Sequence, residues 1–269
     1  MKILKISSYL IAGLGITACV TNPVTGRSSI QIANNSEIAT AAATEYRTTL
    51  STAKVVTGTA DANRVKNVGA KIKNAAYAYY KNIGRESDLA KYSWEFNLIQ
   101  DPQLNAWCMP GGKVAFYTGI MPVCKDDNGV AVVMGHEVSH ALAGHGNERI
   151  SQAMLAQYGG SLIGGSMSNS QWAGIFEKVY PVGAQVGLLA YGRKQESEAD
   201  EMGLQLMAMA GYDPRGATAF WQRMEASSSS GSRPPEFLST HPNPANRIAD
   251  LNADMPKALE YYKKAGGKL

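Results

Sequence analysis

The 269-residue chain contains only three cysteines and four histidines, and each scarcity narrows its chemistry. No C-x-x-C pair and no Cys/His cluster occurs, which excludes a thiolate-built metal site. Beyond residue 18 no apolar run approaches twenty residues, so no membrane-spanning helix is expected there. An excess of one charge is lacking as well. The formal net charge is +4; Lys2 and Lys5 account for half of it, and the remainder shows no concentrated basic patch. Nucleic acid is therefore not an expected partner.

What is present begins with a targeting pattern. Lys2 and Lys5 form a positive leader, residues 9–16 are apolar but too short to cross a bilayer, and small residues precede Cys19. This pattern is read as a lipoprotein signal peptide over 1–18, with Cys19 lipid-modified and becoming the new N-terminus. Residues 19–35, polar with the turn-prone Asn22-Pro23 and Thr25-Gly26, form a lipid-anchored tether or a short docking strand. With Cys19 assigned, Cys108 and Cys124 remain as an even pair. In an oxidising compartment they read as a possible disulfide, the alternative being two buried thiols.

The chemistry centres on HEVSH, an H-E-x-x-H match at His136–His140 in an apolar, proline-free run. On a helix, His136 and His140 stand one turn apart on one side, a spacing at which two imidazoles can share one Zn²⁺. Glu137 falls on the adjacent flank, where its carboxylate can act as general base toward a metal-bound water. Downstream, Glu196 and Asp200 in QESEAD share a helix face, while Glu198 points nearly opposite to Glu196. One of the two could ligate the metal while the other accepts the N–H of a ligating histidine. His145 does not fit the metzincin spacing H-E-x-x-H-x-x-G-x-x-H. On a continuing helix it lies ~140° from His140, so it is expected at the surface or behind a ligand.

Around these motifs, helices are expected over 36–56, opened by Ser36 as N-cap, and over 61–83. Strands are expected between 92 and 117. Asn105, Ala106 and Trp107 begin a short edge strand ended by Pro110-Gly111-Gly112. Such an edge can hold an extended peptide over the metal, or it can be one arm of a plain hairpin. Residues 159–170 are rich in glycine and serine and read as a bend between helices, and 227–235 as a loop.

Together HEVSH and ESEAD resemble the gluzincin metallopeptidases, the family that includes HtpX and the CaaX prenyl endopeptidases. The resemblance is closest to its LoiP-like bacterial lipoprotein branch. It is carried by Asn22-Pro23-Val24-Thr25-Gly26-Arg27 and by the runs NAWCMPGGKVAFYTGI, VVMGHEVSHALAGHGNER, RKQESEAD and STHPNPANRI. It implies an α+β, mostly α-helical, zincin-like metallopeptidase domain over 36–269, with a small β-sheet beside the H-E-x-x-H helix. It further implies one Zn²⁺ per chain held by His136, His140 and Glu196, with Glu137 as base and Asp200 behind a ligand. In the family, a histidine and an arginine that match His241 and Arg247 stand beside the metal. His241 could stabilise the oxyanion or serve as a fourth ligand that blocks water, and Arg247 could stabilise the same negative charge.

The expected function is zinc-dependent endopeptidase action on misfolded or envelope proteins. The expected location is the outer membrane, lipid-anchored and facing the periplasm, with envelope protein partners unidentified. A different reading is a zinc-stabilised chaperone or assembly factor with latent proteolysis. A weaker one is a structural zinc domain. The membrane-embedded relatives carry transmembrane helices that this chain lacks, so their prenyl-protein substrates do not transfer.

Overall fold

The computed structural model describes residues 19–158, 171, 174–176, 179, 191–229, 236–242 and 246–269. The expected signal peptide (1–18), the Gly/Ser bend (159–170) and residues 230–235 of the expected loop lie outside them. No helix among the described residues is long and apolar enough to cross a membrane.

Two short strands come first, β1 (Cys19–Thr21) and β2 (Ser28–Ile30), paired antiparallel. Residues 19–30 thus form a short hairpin. The turn between the strands packs Asn22 against the body of the protein, 7 % exposed. Helix α1 (Asn35–Thr52) follows; its cap is Asn34, whose side chain accepts from Ser36 N, rather than Ser36 itself. The Asx oxygen one residue earlier satisfies the orphan amide and leaves Ser36 inside the first turn. Strand β3 (Val55–Val56) and helix α2 (Ala60–Asn82, capped by Thr59) complete the first third.

Next come β4 (Glu95–Ile99), β5 (Ala106–Met109) and β6 (Lys113–Tyr117). The sheet order is β3-β4-β6-β5, with β4 parallel to β6 and the other pairs antiparallel. β5 is thus both an arm of a hairpin and an edge strand. Both sheet faces are covered. Ala106, Cys108, Val114 and Phe116 join the core formed with α2 and the later helices. Trp107, Met109, Ala115 and Tyr117 pack with Ile38, Ala42 and Tyr46 of α1 on the other side. Burial on two faces explains why these strands alternate so weakly in sequence.

The remaining helices are α3 (Met121–Cys124), α4 (Asp127–Leu142), α5 (His145–Tyr158), α6 (Arg193–Met209), α7 (Gly216–Ser229), α8 (Glu236–Thr240) and α9 (Arg247–Lys264). The mostly helical α+β class expected from the sequence is the one observed. Helix α4 starts at the Asp126 cap and carries H-E-x-x-H through the centre of the core, packed between α2, β5, α6 and α7. Gly144, at φ +71°, ends it and lets α5 begin immediately at His145. A left-handed residue there is what glycine tolerates cheaply.

Cys108 and Cys124 do not form the disulfide suggested by their number. Both are free and buried, one on β5 and the other at the end of α3. Cys108 Sγ turns along its own strand, 3.5 Å from the Met109 carbonyl. Even counts allow a pair but do not set the backbone geometry that a pair requires.

Helices α4 and α6 cross in close contact. A Cβ built on Gly203 would lie 2.8 Å from His136 N and 2.9 Å from Gly135 C, and one on Gly135 would lie 2.7 Å from the Gly203 carbonyl oxygen. Replacing Gly203 by alanine gains ~1 kcal/mol of helix propensity but forces two backbones apart, and overpacking typically costs about 1–3 kcal/mol. Gly203→Ala is therefore expected to lower the urea midpoint despite the better helix former; a raised midpoint would contradict the close crossing.

Candidate metal centre

The α4–α6 crossing decides which side chains meet. His136 and His140 leave α4 on the face turned to α6, and Glu196 and Asp200 leave α6 toward them. His241 arrives from the residue following α8, where its N–H donates to the Phe237 carbonyl at 2.8 Å. One donor atom each from His136, His140, Glu196 and His241 lies within 4.8 Å of all the others. The Nε2 atoms of His136 and His140 are 3.1 Å apart, and His241 Nδ1 is 3.2 Å from His136 Nε2. Glu196 Oε1 is 3.4 Å from His140 Nε2 and 3.1 Å from His241 Nδ1. All four residues are buried.

Outer contacts fix this set. His136 Nδ1–H donates to Asp200 Oδ1 at 2.9 Å, which leaves its Nε2 lone pair facing the cluster. Arg247, the first residue of α9 and 2 % exposed, donates from Nε to Asp200 Oδ2 at 2.6 Å and from Nη2 to Glu196 Oε2 at 2.7 Å. Its guanidinium lies 3.8 Å from the Trp221 ring. Phe237 stacks on His241 at 4.4 Å, and Tyr191 on His140 at 3.8 Å. His140 Nδ1 is 2.8 Å from His145 Nδ1. The surface position allowed for His145 is thus corrected: it is fully buried, because the break at Gly144 lets its ring turn back onto His140.

Charge in the cluster favours a cation. Burial opposes ionisation of Glu196, yet His241, His136 and His140 outweigh it and hold the carboxyl well below its ordinary value. Burial opposes protonation of His136, but Asp200 and Glu196 overcome it and pull it up to about 10, so these carboxylates favour positive charge at this ring, a role that a proton or a metal ion on Nε2 can fill. His140 is driven well below its ordinary value by burial and then by His136, which favours the neutral form that a ligating imidazole needs. The donor set of imidazole nitrogens and one carboxylate is the set that zinc accepts, and no sulfur is involved. The residues fit a zinc ion.

Glu137 sits beside this set, 1 % exposed. Burial raises its carboxyl, partly offset by His241 and His136. Its Oε1 has no hydrogen-bond partner, and His241 Nε2 is 3.4 Å from it. Asn105, Ala106 and Trp107 line a narrow cleft together with Glu137, Tyr191 and His241. Cys19 is exposed at the start of β1, remote in sequence from these elements.

The sequence reading did not anticipate Tyr191, Trp221 or Phe237, which carry no periodic or spacing signal. It also set Glu198 aside as pointing away from Glu196. The direction is right, and the structure adds that Glu198 is 4 % exposed and receives His145 Nε2–H at 2.9 Å.

Comparison with known proteins gives a consistent outcome. The model of Peptidase family M48 matches residues 62–254. The chain is 35 % identical over 178 residues to the mitochondrial metalloendopeptidase OMA1 of Schizosaccharomyces pombe, covering 66 % of this chain and 51 % of the relative. It is 32 % identical over 209 residues to that of Saccharomyces cerevisiae, covering 75 % and 58 %. It is 28 % identical over 171 residues to the beta-barrel assembly-enhancing protease of Escherichia coli, covering 60 % and 34 %. The chain spans about half the length of the yeast relatives it matches.

One ion pair outside the donor cluster sets an acid limit. Burial raises the Glu148 carboxyl, but hydrogen bonds from Arg27 and Gln195 outweigh this and lower it below 4.5. A carboxyl depressed by folding contributes stability above its unfolded value, and that stability is lost as pH falls through the folded value. Urea midpoints of the wild type are therefore expected to drop more steeply below pH ~4.5 than those of Glu148→Gln; parallel profiles would contradict the pairing.

Proposed function

From the premise that the chain belongs to peptidase family M48, we propose that it is a zinc-dependent endopeptidase. The observation that carries this reading is the meeting of His136, His140, Glu196 and His241 within 4.8 Å, with the unpartnered Glu137 Oε1 beside them. His136, His140 and Glu196 would hold the metal, and Asp200 and Arg247 orient His136 and Glu196. A zinc ion bound there supplies a Lewis acid for a peptide carbonyl and acidifies an attacking water.

The chain's own residues supply the rest. Glu137, desolvated and free at Oε1, takes a proton at that atom and returns it to the leaving nitrogen. Its raised carboxyl suits both halves of the exchange. His241 Nε2, turned toward Glu137, is placed to donate to developing negative charge, while its Nδ1 is available as a fourth ligand. Arg247 commits Nε and Nη2 to Asp200 and Glu196, so it acts by holding carboxylates in place. An extended polypeptide added to the edge of β5 would pass along Asn105, Ala106 and Trp107 and present its backbone to Glu137.

The substrates are misfolded or envelope proteins, in a LoiP-like lipoprotein anchored through Cys19 to the outer membrane and facing the periplasm. The leader pattern of 1–18 and the exposure of Cys19 support the anchor. A bacterial relative named for β-barrel assembly supports the envelope setting. The second reading, a zinc-stabilised assembly factor with latent proteolysis, draws on the burial of Glu137 and His241, 1 % and 2 % exposed. Rescue of a deletion phenotype by Glu137→Gln as fully as by wild type would favour it.

Glu137→Gln is expected to retain one zinc per chain and to lower kcat on an unfolded protein substrate by about 10²–10⁴-fold. Undiminished cleavage by the metal-loaded variant would remove the proposed mechanism.

A further inference from the structure

One buried charged assembly is not used by that mechanism. The Glu198 carboxylate collects four donors: Asn22 Nδ2 at 2.6 Å, Thr25 Oγ1 at 2.5 Å, Arg27 Nε, and His145 Nε2 at 2.9 Å. Three of these come from the turn between β1 and β2, more than 170 residues earlier in the chain. The other two guanidinium nitrogens of Arg27 donate to Glu148 at 3.0 and 2.7 Å, and Gln195 Nε2 donates to the same carboxylate at 2.8 Å. A carboxylate this buried is stable only when so provided with donors.

The direction of these bonds has a consequence at the donor cluster. A carboxylate only accepts, so the single N–H of a neutral His145 sits on Nε2. Its Nδ1 then accepts, and the 2.8 Å contact with His140 Nδ1 requires His140 to donate from Nδ1. That assignment leaves the lone pair of His140 on Nε2, the atom that faces His136 Nε2 at 3.1 Å and Glu196 Oε1 at 3.4 Å. His136 is oriented by Asp200 on α6; His140 is oriented by a relay that begins in the N-terminal hairpin.

We propose that His145, Glu198 and Arg27 are positioning residues for the metal site, with the hairpin turn fixing the tautomer and ring angle of His140 through Arg27, Glu198 and His145 in series. The inference rests on His140 being a metal ligand. It makes the segment next to Cys19 a working part of the site and not only a spacer.

The test is the zinc affinity of the purified full chain, read by competition with a chromophoric chelator. The variants are His145→Phe, Arg27→Met, their combination and Glu198→Gln, with Arg215→Met at an exposed ion pair as control. Loss of a group behind a ligating histidine typically weakens metal binding about 10–100-fold, and that range is expected for His145→Phe. Arg27→Met should weaken binding by about tenfold, and Arg27→Lys should restore part of it. Because Arg27 acts through His145, the double variant should bind within about twofold of His145→Phe alone.

Circular dichroism of the metal-free variants checks folding. Should His145→Phe fail to fold, Glu198→Gln, which keeps the volume, carries the test by the same loss of affinity. Wild-type affinity in His145→Phe or Glu198→Gln, or full additivity in the double variant, overturns the relay. A wild-type chain that binds no zinc at all would overturn the metal-site reading as well, which separates the two failures.

Discussion

The contact between Gly135 on α4 and Gly203 on α6 brings together the polar side chains of the donor cluster. Side chains at that point would hold the helices apart, and Cβ positions there fall within 3 Å of the opposing backbone. Two glycines let the helices approach until the imidazoles of one and the carboxylates of the other share a few ångströms. The cost in helix propensity, ~1 kcal/mol for each glycine, is set against a donor geometry that bulkier residues could not produce.

The close crossing concentrates buried negative charge, and the surrounding elements are placed to neutralise it. Arg247 at the start of α9 joins Glu196 and Asp200. Arg27 from the β1–β2 turn joins Glu148 and Glu198. Each guanidinium spans two carboxylates, a task that a planar fork of donors meets and a lysine does not. The β1–β2 turn and the start of α9 thus approach α6 from opposite faces, Arg247 at Glu196 and Asp200 and Arg27 at Glu198. Unpaired, any of these carboxylates would be costly in the interior.

Much of the site was legible in the sequence because its parts obey helical spacing. His136 and His140, and then Glu196 and Asp200, stand four apart and therefore share faces. Asn105–Met109 was legible as an edge because Pro110-Gly111-Gly112 ends it. What escaped depends on breaks and on distant contacts. His145 reaches His140 only because Gly144 interrupts the helix, and Glu198 is buried only because the hairpin turn covers it. Tyr191, Trp221 and Phe237 pack on the imidazoles from segments whose local pattern says nothing of the cluster. The disulfide expectation failed because an even number of cysteines carries no information about where their backbones lie, and the Ser36 cap was displaced by the equally competent Asn34.

The central claim is that the side chains gathered by the α4–α6 crossing hold one zinc ion through nitrogen and oxygen alone. X-ray absorption at the zinc edge of the metal-loaded protein addresses it most directly. The account predicts a first shell of nitrogen and oxygen at about 2.0–2.1 Å with outer-shell imidazole scattering from at least two histidines. A sulfur shell near ~2.3 Å, or the absence of imidazole scattering, would contradict it.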